Sequence, residues 1–192
     1  MMRLHLVRHG PTHAKTMVGW SDLPADLSDT AALKRLHNHL PPEALVVSSD
    51  LSRAVDTATA IQGQRQRLPH HPGLREIHFG DWELRGFSEI EAEDSELAFS
   101  YWDNPGDVRA PKGESWNDVR NRVDAAIDTL VSVHSGRDLV IVAHFGVILT
   151  QVQRALDLDG QQTFSHRIDN LSVTDILIDA GRWSVGTINH LP

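Results

Sequence analysis

The chain contains no cysteine, which excludes a disulfide-stapled scaffold and agrees with a reducing compartment. It has no apolar run approaching the roughly 20 residues that a bilayer core demands, so no membrane span is expected. Positive charge is in short supply: 18 Lys and Arg stand against 26 Asp and Glu, a net charge of -8. Long-range attraction to nucleic acid or to an anionic membrane is therefore not expected. Internal repeats, low-complexity tracts and linkers are absent too. The opening Met1-Met2-Arg3-Leu4-His5-Leu6-Val7-Arg8 carries charge inside its apolar stretch and lacks a small-residue cleavage site, so it does not read as a signal peptide, and a cytoplasmic location is the expectation. What is present is 192 residues, 40% of them hydrophobic, enough for a single domain over 1–192 whose core needs no metal or disulfide support. The compositional excess is histidine, with 12.

Short apolar runs alternate with segments of helical period, the pattern of a parallel sheet covered on both faces. Leu4 to Val7 predicts a first strand and Ala44 to Val47 a second. Leu139 to Val142 predicts a third, and Leu171 to Ile178 with Trp183 to Ile188 a terminal hairpin. Between them, Ser28 is a candidate cap for a helix through Leu33, Leu36 and Leu40 that Pro41-Pro42 stops. Ser49 or Asp50 would cap the next one, and Ser115-Trp116-Asn117-Asp118 resembles a capping box. From Gln62 to Gly113 periodicity weakens, leaving a short strand near Leu68 and helix around Ser88 to Tyr101. The part from 77 to 113 reads as an irregular insertion of the kind that carries function.

Two strands end alike. Leu4-His5-Leu6-Val7 runs into Arg8-His9-Gly10, and Leu139-Val140-Ile141-Val142 runs into Ala143-His144-Phe145-Gly146. Ligands of open parallel sheets bind beyond the carboxyl ends of strands, so both histidines are expected to face one crevice. The strand from Ala44 ends in Ser48-Ser49-Asp50, with Arg53 in the first turn behind it. Two arginines, two histidines and helix N-termini make an anion site suited to a phosphoryl group, and the guanidinium charges favour a neutral, nucleophilic imidazole. Glu76 is the carboxylate best placed to donate a proton to a leaving oxygen, with Glu83 and Asp81 as competitors.

Five segments in order carry a family resemblance: Leu6-Val7-Arg8-His9-Gly10-Pro11-Thr12; Ser48-Ser49-Asp50-Leu51-Ser52-Arg53-Ala54 with Thr57-Ala58; Leu74-Arg75-Glu76 with Phe79-Gly80-Asp81-Trp82-Glu83; Gly113-Glu114-Ser115; and the late strand leading to His144. Together they resemble the histidine phosphatase superfamily, also called phosphoglycerate mutase-like, in its alpha-ribazole phosphatase-like and broad-specificity branch. The resemblance implies a three-layer α/β/α sandwich with a mostly parallel central sheet. It implies a metal-independent phosphatase with no cofactor, acting on a small phosphorylated metabolite. His9 would take the phosphoryl group as phosphohistidine, Arg8, Arg53 and His144 would hold its oxygens, and Glu76 would serve as acid and then base. Thr12 and Lys15 are further phosphate-binding candidates. Lys15 stands where many members have Asn, and it either contacts phosphate as a point charge or is solvated. Two other departures are Leu84, where Trp-Glu-Gly is usual, and Phe145, where His-Gly-Gly is frequent.

Alternatives of other kinds are a phosphoglycerate mutase, a catalytically idle phospholigand-binding scaffold and a histidine-rich metalloprotein. The last is disfavoured because His13, His70, His71 and His78 lack ligand spacing, and adjacent side chains of an extended His70-His71 point apart. The acidic run Glu89, Glu91, Glu93, Asp94 and Glu96 reads as a solvated face near the mouth that discourages polyanions. Trp82, Trp102 and Trp116 are expected mainly in the core, any one of them being a candidate for the pocket wall. Oligomeric state stays open, a homodimer being the assembly considered.

Overall fold

Alternate residues along three buried strands feed two separate apolar layers. The computed structural model describes residues 1–192. Strands β1 (Met2–Arg8), β2 (Leu45–Ser48), β3 (Leu139–Ala143), β4 (Val173–Asp179) and β5 (Arg182–Val185) form one mixed sheet in the order β2-β3-β1-β4-β5. Its first three strands are parallel, and β4 and β5 join antiparallel as the terminal hairpin. Leu4, Leu6, Leu45, Val47, Leu139 and Ile141 pack with α5 (Trp116–Val133) and α6 (Phe145–Leu156). Their neighbours Val7, Val46, Val140 and Val142 point the other way, onto α1 (Thr30–His39) and α2 (Ser52–Gln62). A period of two on strands covered on both sides produces this split. The result is the expected α/β/α sandwich, in which each buried Val, Leu or Ile contributes about 1.5–3 kcal/mol.

The connections decide where a ligand can sit. β1 and β3 are neighbours, yet the chain leaves β1 towards α1 on one face and leaves β3 towards α6 on the other. Divergent exits from adjacent parallel strands open a crevice at their carboxyl ends.

Local expectations meet several corrections. Asp29, not Ser28, caps α1, its carboxylate accepting from Ala32 N at 2.9 Å. Neither Ser49 nor Asp50 caps α2. Leu51 holds that position without a side-chain cap, and Asp50 instead pairs with Arg75 at 2.6 Å. The strand near Leu68 reduces to a single bridge between Val46 and Arg67. The 77–113 segment is more regular than its composition implies, with α3 (Phe87–Glu93) and α4 (Ser95–Asp103) separated at Asp94, which caps the second by accepting from Leu97 N. A short helix α7 (Gly160–Phe164) follows α6 without having been expected. The Ser115–Asp118 capping box is present. No helix is long and apolar enough to cross a membrane.

Leu84, which the family resemblance marks as a glycine position, has a left-handed backbone at φ 62. Its N–H donates to Met17 O at 2.7 Å, and half of its surface is exposed, so packing returns little of the strain. A Cβ in this region costs about 1 kcal/mol. Leu84→Gly is therefore expected to raise Tm by roughly 2–4 °C for a domain of this size, measured by thermal unfolding. A lower Tm would show that the exposed leucine contributes more than its backbone loses.

Candidate active site

Register brings the two histidines together. Arg8 pairs with Ala143 as the last rung between β1 and β3, and His9 N donates to Ala143 O at 3.1 Å, so His9 and His144 leave their strands side by side. Their ring centroids lie 5.0 Å apart, edge to face. The backbone around His9 is pinned by Asn170 Nδ2, which donates to His9 O at 2.8 Å, and by Thr57 Oγ1, which accepts from Gly10 N at 2.9 Å. His9 Nδ1 lies 2.7 Å from Gly10 O, an acceptor only, so Nδ1 carries the hydrogen. Nε2 is left with its lone pair, and Arg53 Nε donates to it at 3.3 Å. Burial first, and then the Arg53 charge, push the His9 pKa down to about 3, although the Gly10 contact works in the opposite direction. His144 is fully buried with neither ring nitrogen partnered by protein. Burial and the neighbouring His9 and arginines hold its pKa well below the usual value.

Arg53 is 1% exposed. It arrives from the first turn of α2 and spends its outer nitrogens on backbone, Nη1 donating to Ser21 O at 2.9 Å and Nη2 to Gly19 O at 2.6 Å. Arg8 donates through Nη1 to Ile168 O at 2.6 Å and lies 5.5 Å over the Phe145 ring, which gives the unusual phenylalanine a contact with the pocket arginine. Glu76, 7% exposed, accepts from Ile77 N and Gly146 N, both at 3.0 Å. A Cβ at Gly146 would stand 2.5 Å from Glu76 Oε1, so the second residue of α6 must be glycine for the carboxyl to reach this seat. Burial raises the Glu76 pKa, and the two N–H donors with the charges of Arg53 and Arg8 offset that rise without reversing it.

Arg8, His9, Thr12, Arg53 and Glu76 line one cavity of about 260 Å³, whose remaining wall includes Met17, Val18, Phe79, Trp102 and Phe145. A hollow of about 490 Å³ beside Leu27 and Arg35 is larger but holds none of the His-Arg-Glu set. Lys15 is exposed and lies off the cavity wall. Of the competing carboxylates, Asp81 pairs with Lys112 at the surface. Glu83 is turned away, accepting from the 19–21 loop. Burial acts to raise its pKa, but the bonds from Ser21 Oγ and the amides of Gly19, Trp20 and Phe79 outweigh that and hold it low. Trp82 and Trp116 are in the core, whereas Trp102 reaches the cavity.

Sequence reasoning missed the supports. Arg122 of α5 donates to the carbonyls of Gly73, Arg75 and Glu76 while gripping Glu114, and Glu114 in turn accepts from His78 N. This clamp fixes the extended segment carrying Glu76. The Glu114 of Gly113-Glu114-Ser115 was visible as a motif, but its partner is eight residues further on and gives no local signal. Because an unfolded chain protonates His9 near pH 6.5 and the folded one does not until about pH 3, stability is complete above 6.5 and declines as pH falls below it. Urea unfolding of His9→Ala should show a slope between pH 6 and 5 shallower by roughly 1 kcal/mol per pH unit. Equal slopes would mean that folded His9 protonates freely.

Residues 4–191 match the Histidine phosphatase superfamily (branch 1). The chain is 31% identical over 197 residues to the adenosylcobalamin/alpha-ribazole phosphatase of Escherichia coli (strain K12), covering 98% of this chain and 91% of that protein. It is 25% identical over 205 residues to a probable phosphoglycerate mutase GpmB of Proteus mirabilis (strain HI4320), covering 100% and 95%. Among solved structures, Bacillus stearothermophilus YhfR superposes with a TM-score of 0.91 at 29% identity, covering 100% of this chain and 98% of that one. With its two strand-end histidines, its buried arginine and nearly its whole length accounted for, this chain belongs to the histidine phosphatase superfamily.

Proposed function

We propose that the protein hydrolyses a small phosphomonoester through a phosphohistidine on His9. The observation that carries this reading is the His9 imidazole, held neutral, with Nδ1 engaged by Gly10 O and Nε2 offered beside Arg53 in a cavity that also contains a protonatable Glu76. Nε2 attacks phosphorus, the P–O ester bond breaks, and the Glu76 proton goes to the departing oxygen. Water then attacks phosphorus, its proton passes to the Glu76 carboxylate, and the P–N bond breaks to return neutral His9. Arg8 and Arg53 balance the charge on the transferring group, the task that magnesium performs in many phosphoryl transfers. The His144 ring, buried behind the cavity wall against His9 and without a protein partner, would gain one from a phosphoryl oxygen on His9.

Hydrolysis is favoured over mutase chemistry by the inventory of cations. Arg8 and Arg53 are the only ones on the cavity wall, and in this reading the transferring phosphoryl group takes up both. Lys112 and Arg85 on the nearby loop are paired with Asp81 and with Glu89 and Glu93. Lys15 makes no ion pair but is exposed and off the wall, so no cation on the cavity wall itself is left for the carboxylate or second phosphate of a phosphoglycerate. The substrate is thus a phosphomonoester with one anionic group, and alpha-ribazole phosphate belongs in the screen because the Escherichia coli relative is named for it. No polyanionic or membrane partner suits the net charge of -8, and the cysteine-free composition agrees with a cytoplasmic setting.

Brief exposure to para-nitrophenyl phosphate in EDTA should leave acid-labile, base-stable phosphate on the wild-type protein and none on His9→Ala. Saturable binding without such phosphate would instead fit an idle binding module, and formation of 2-phosphoglycerate from primed 3-phosphoglycerate a mutase. Glu76 must be protonated to donate, so activity falls as pH rises through its raised pKa. Glu76→Gln should cost about 10²–10³-fold in kcat on an alkyl phosphate, much less on para-nitrophenyl phosphate, whose leaving group needs no proton. Equal losses on both esters would exclude Glu76 as the acid.

A further inference from the structure

Glu83 has the most crowded carboxylate in the molecule. Its oxygens accept from Gly19 N at 3.0 Å, Trp20 N at 2.7 Å, Ser21 N at 3.3 Å, Ser21 Oγ at 2.7 Å and Phe79 N at 3.1 Å. A carboxylate offers about four lone-pair directions, so these donors saturate it and leave nothing for a substrate. The carbonyls of the same short loop face the other way, Gly19 O and Ser21 O accepting from the two outer nitrogens of Arg53. The Gly19–Trp20 peptide is thus lined up between an anion and a cation, its N–H on Glu83 and its C=O on Arg53, the arrangement in which each bond polarises the next, with the Gly19 and Ser21 amides and the Ser21 carbonyl holding the loop on either side of it. With one N–H of each Nη atom given to the loop, the Arg53 Nε–H is aimed at His9 Nε2, and the second N–H of each Nη stays unused.

Space enforces the same geometry. A Cβ on Gly19 would lie 2.0 Å from Ile77 O and 2.4 Å from Glu83 Oε1, so the loop is seated as closely as backbone allows. Trp20 Nε1 donates to Glu76 O at 2.9 Å, which ties the loop to the segment of the proposed acid as well.

We propose that Glu83 is a positioning residue that acts through the peptides of Gly19 to Ser21 to set the Arg53 guanidinium against His9 Nε2, and that its negative charge, not its volume, is what does so. The inference rests on the reading of His9 as nucleophile. A glutamine here has the same shape, but its amide N–H₂ would meet backbone N–H donors, and it lacks the charge opposing Arg53.

Glu83→Gln is therefore expected to lower kcat on para-nitrophenyl phosphate about 10–100-fold, since small misplacements of a catalytic group carry losses of this order. KM should change by less than about threefold and Tm by a few degrees, with Glu83→Asp, which keeps the charge, recovering part of the loss. Combined with Arg53→Lys, which has no fork to orient, Glu83→Gln should add little. Multiplying losses would overturn the proposal. The ¹⁵N resonance of His9 Nε2 gives a readout that needs no turnover: it should move in Glu83→Gln and stay put in Glu89→Gln, a surface control. If that resonance moves while wild-type protein forms no phosphohistidine, the functional reading fails and the positioning role stands. An unmoved resonance with unchanged kcat sinks the positioning role alone. Should Glu83→Gln fold poorly, Ser21→Ala, which removes one donor, must shift the same resonance in the same direction, and its failure to do so overturns the proposal.

Discussion

Arg53 is a full positive charge carried into the protein with 1% of its surface exposed, and the structure is organised around making that tolerable. An uncompensated buried charge costs several kcal/mol. Compensation comes from three acceptors drawn from distant parts of the chain: the His9 ring at the end of β1 and the carbonyls of Gly19 and Ser21. Asp22 and Glu83 contribute opposite charge without touching it. Each requirement fixes an element. The first turn of α2 must end against β1, the loop after His9 must fold back across the strand tips, and the 76–83 segment must run alongside. The anion pocket is the space these constraints leave.

Burial also sorts the acid from the base. Removal from water disfavours whichever form is charged, so the same low-dielectric seat drives His9 towards the neutral imidazole and Glu76 towards the neutral carboxyl. Two adjacent groups thereby take the protonation states that attack and proton donation require. Guanidinium charge reinforces the effect on His9 and opposes it on Glu76, where two backbone N–H donors oppose it too. Glu83 shows the contrasting outcome. Half-buried, it has enough donors to stay ionised, which suits an anchor and not an acid.

The sheet and its histidines were legible because they depend on periodicity and on the residues just beyond a strand's end, both local properties. Short, mostly apolar runs betray strands buried on both faces, and parallel register between β1 and β3 sets the residues just beyond them side by side. Supports were illegible for the converse reason. Asn170 reaches His9 O across 161 positions, and Arg122 reaches Glu76 O across 46; nothing in either neighbourhood announces the partner. The cap of α1 was misplaced by one residue because Ser28 and Asp29 are both good caps and only the backbone decides between them. The insertion looked irregular because helix periodicity restarts at Asp94, breaking one amphipathic pattern into two short ones. Most of the histidine excess has no part in the site, as the lack of ligand spacing implied. His5 pairs with Asp175 and His13 with Asp26, both at 2.7 Å, which are structural uses of an ordinary polar ring.

The two unusual residues beside the site show how a shared scaffold is adjusted without moving its chemistry. Phe145 sits at the start of α6, and its ring meets the Arg8 guanidinium, so its bulk steadies a cation of the cavity wall and narrows the apolar side of the cavity. Leu84 accepts a left-handed backbone next to Glu83, and the turn keeps its shape because Met17 N donates to Arg85 O while Leu84 N donates to Met17 O. Those bonds join the end of the 12–17 loop to the 82–85 turn, just beyond the residues that Glu83 anchors. His9 and Arg53 are held by buried backbone acceptors, so side chains at the rim of the cavity can differ without displacing either group.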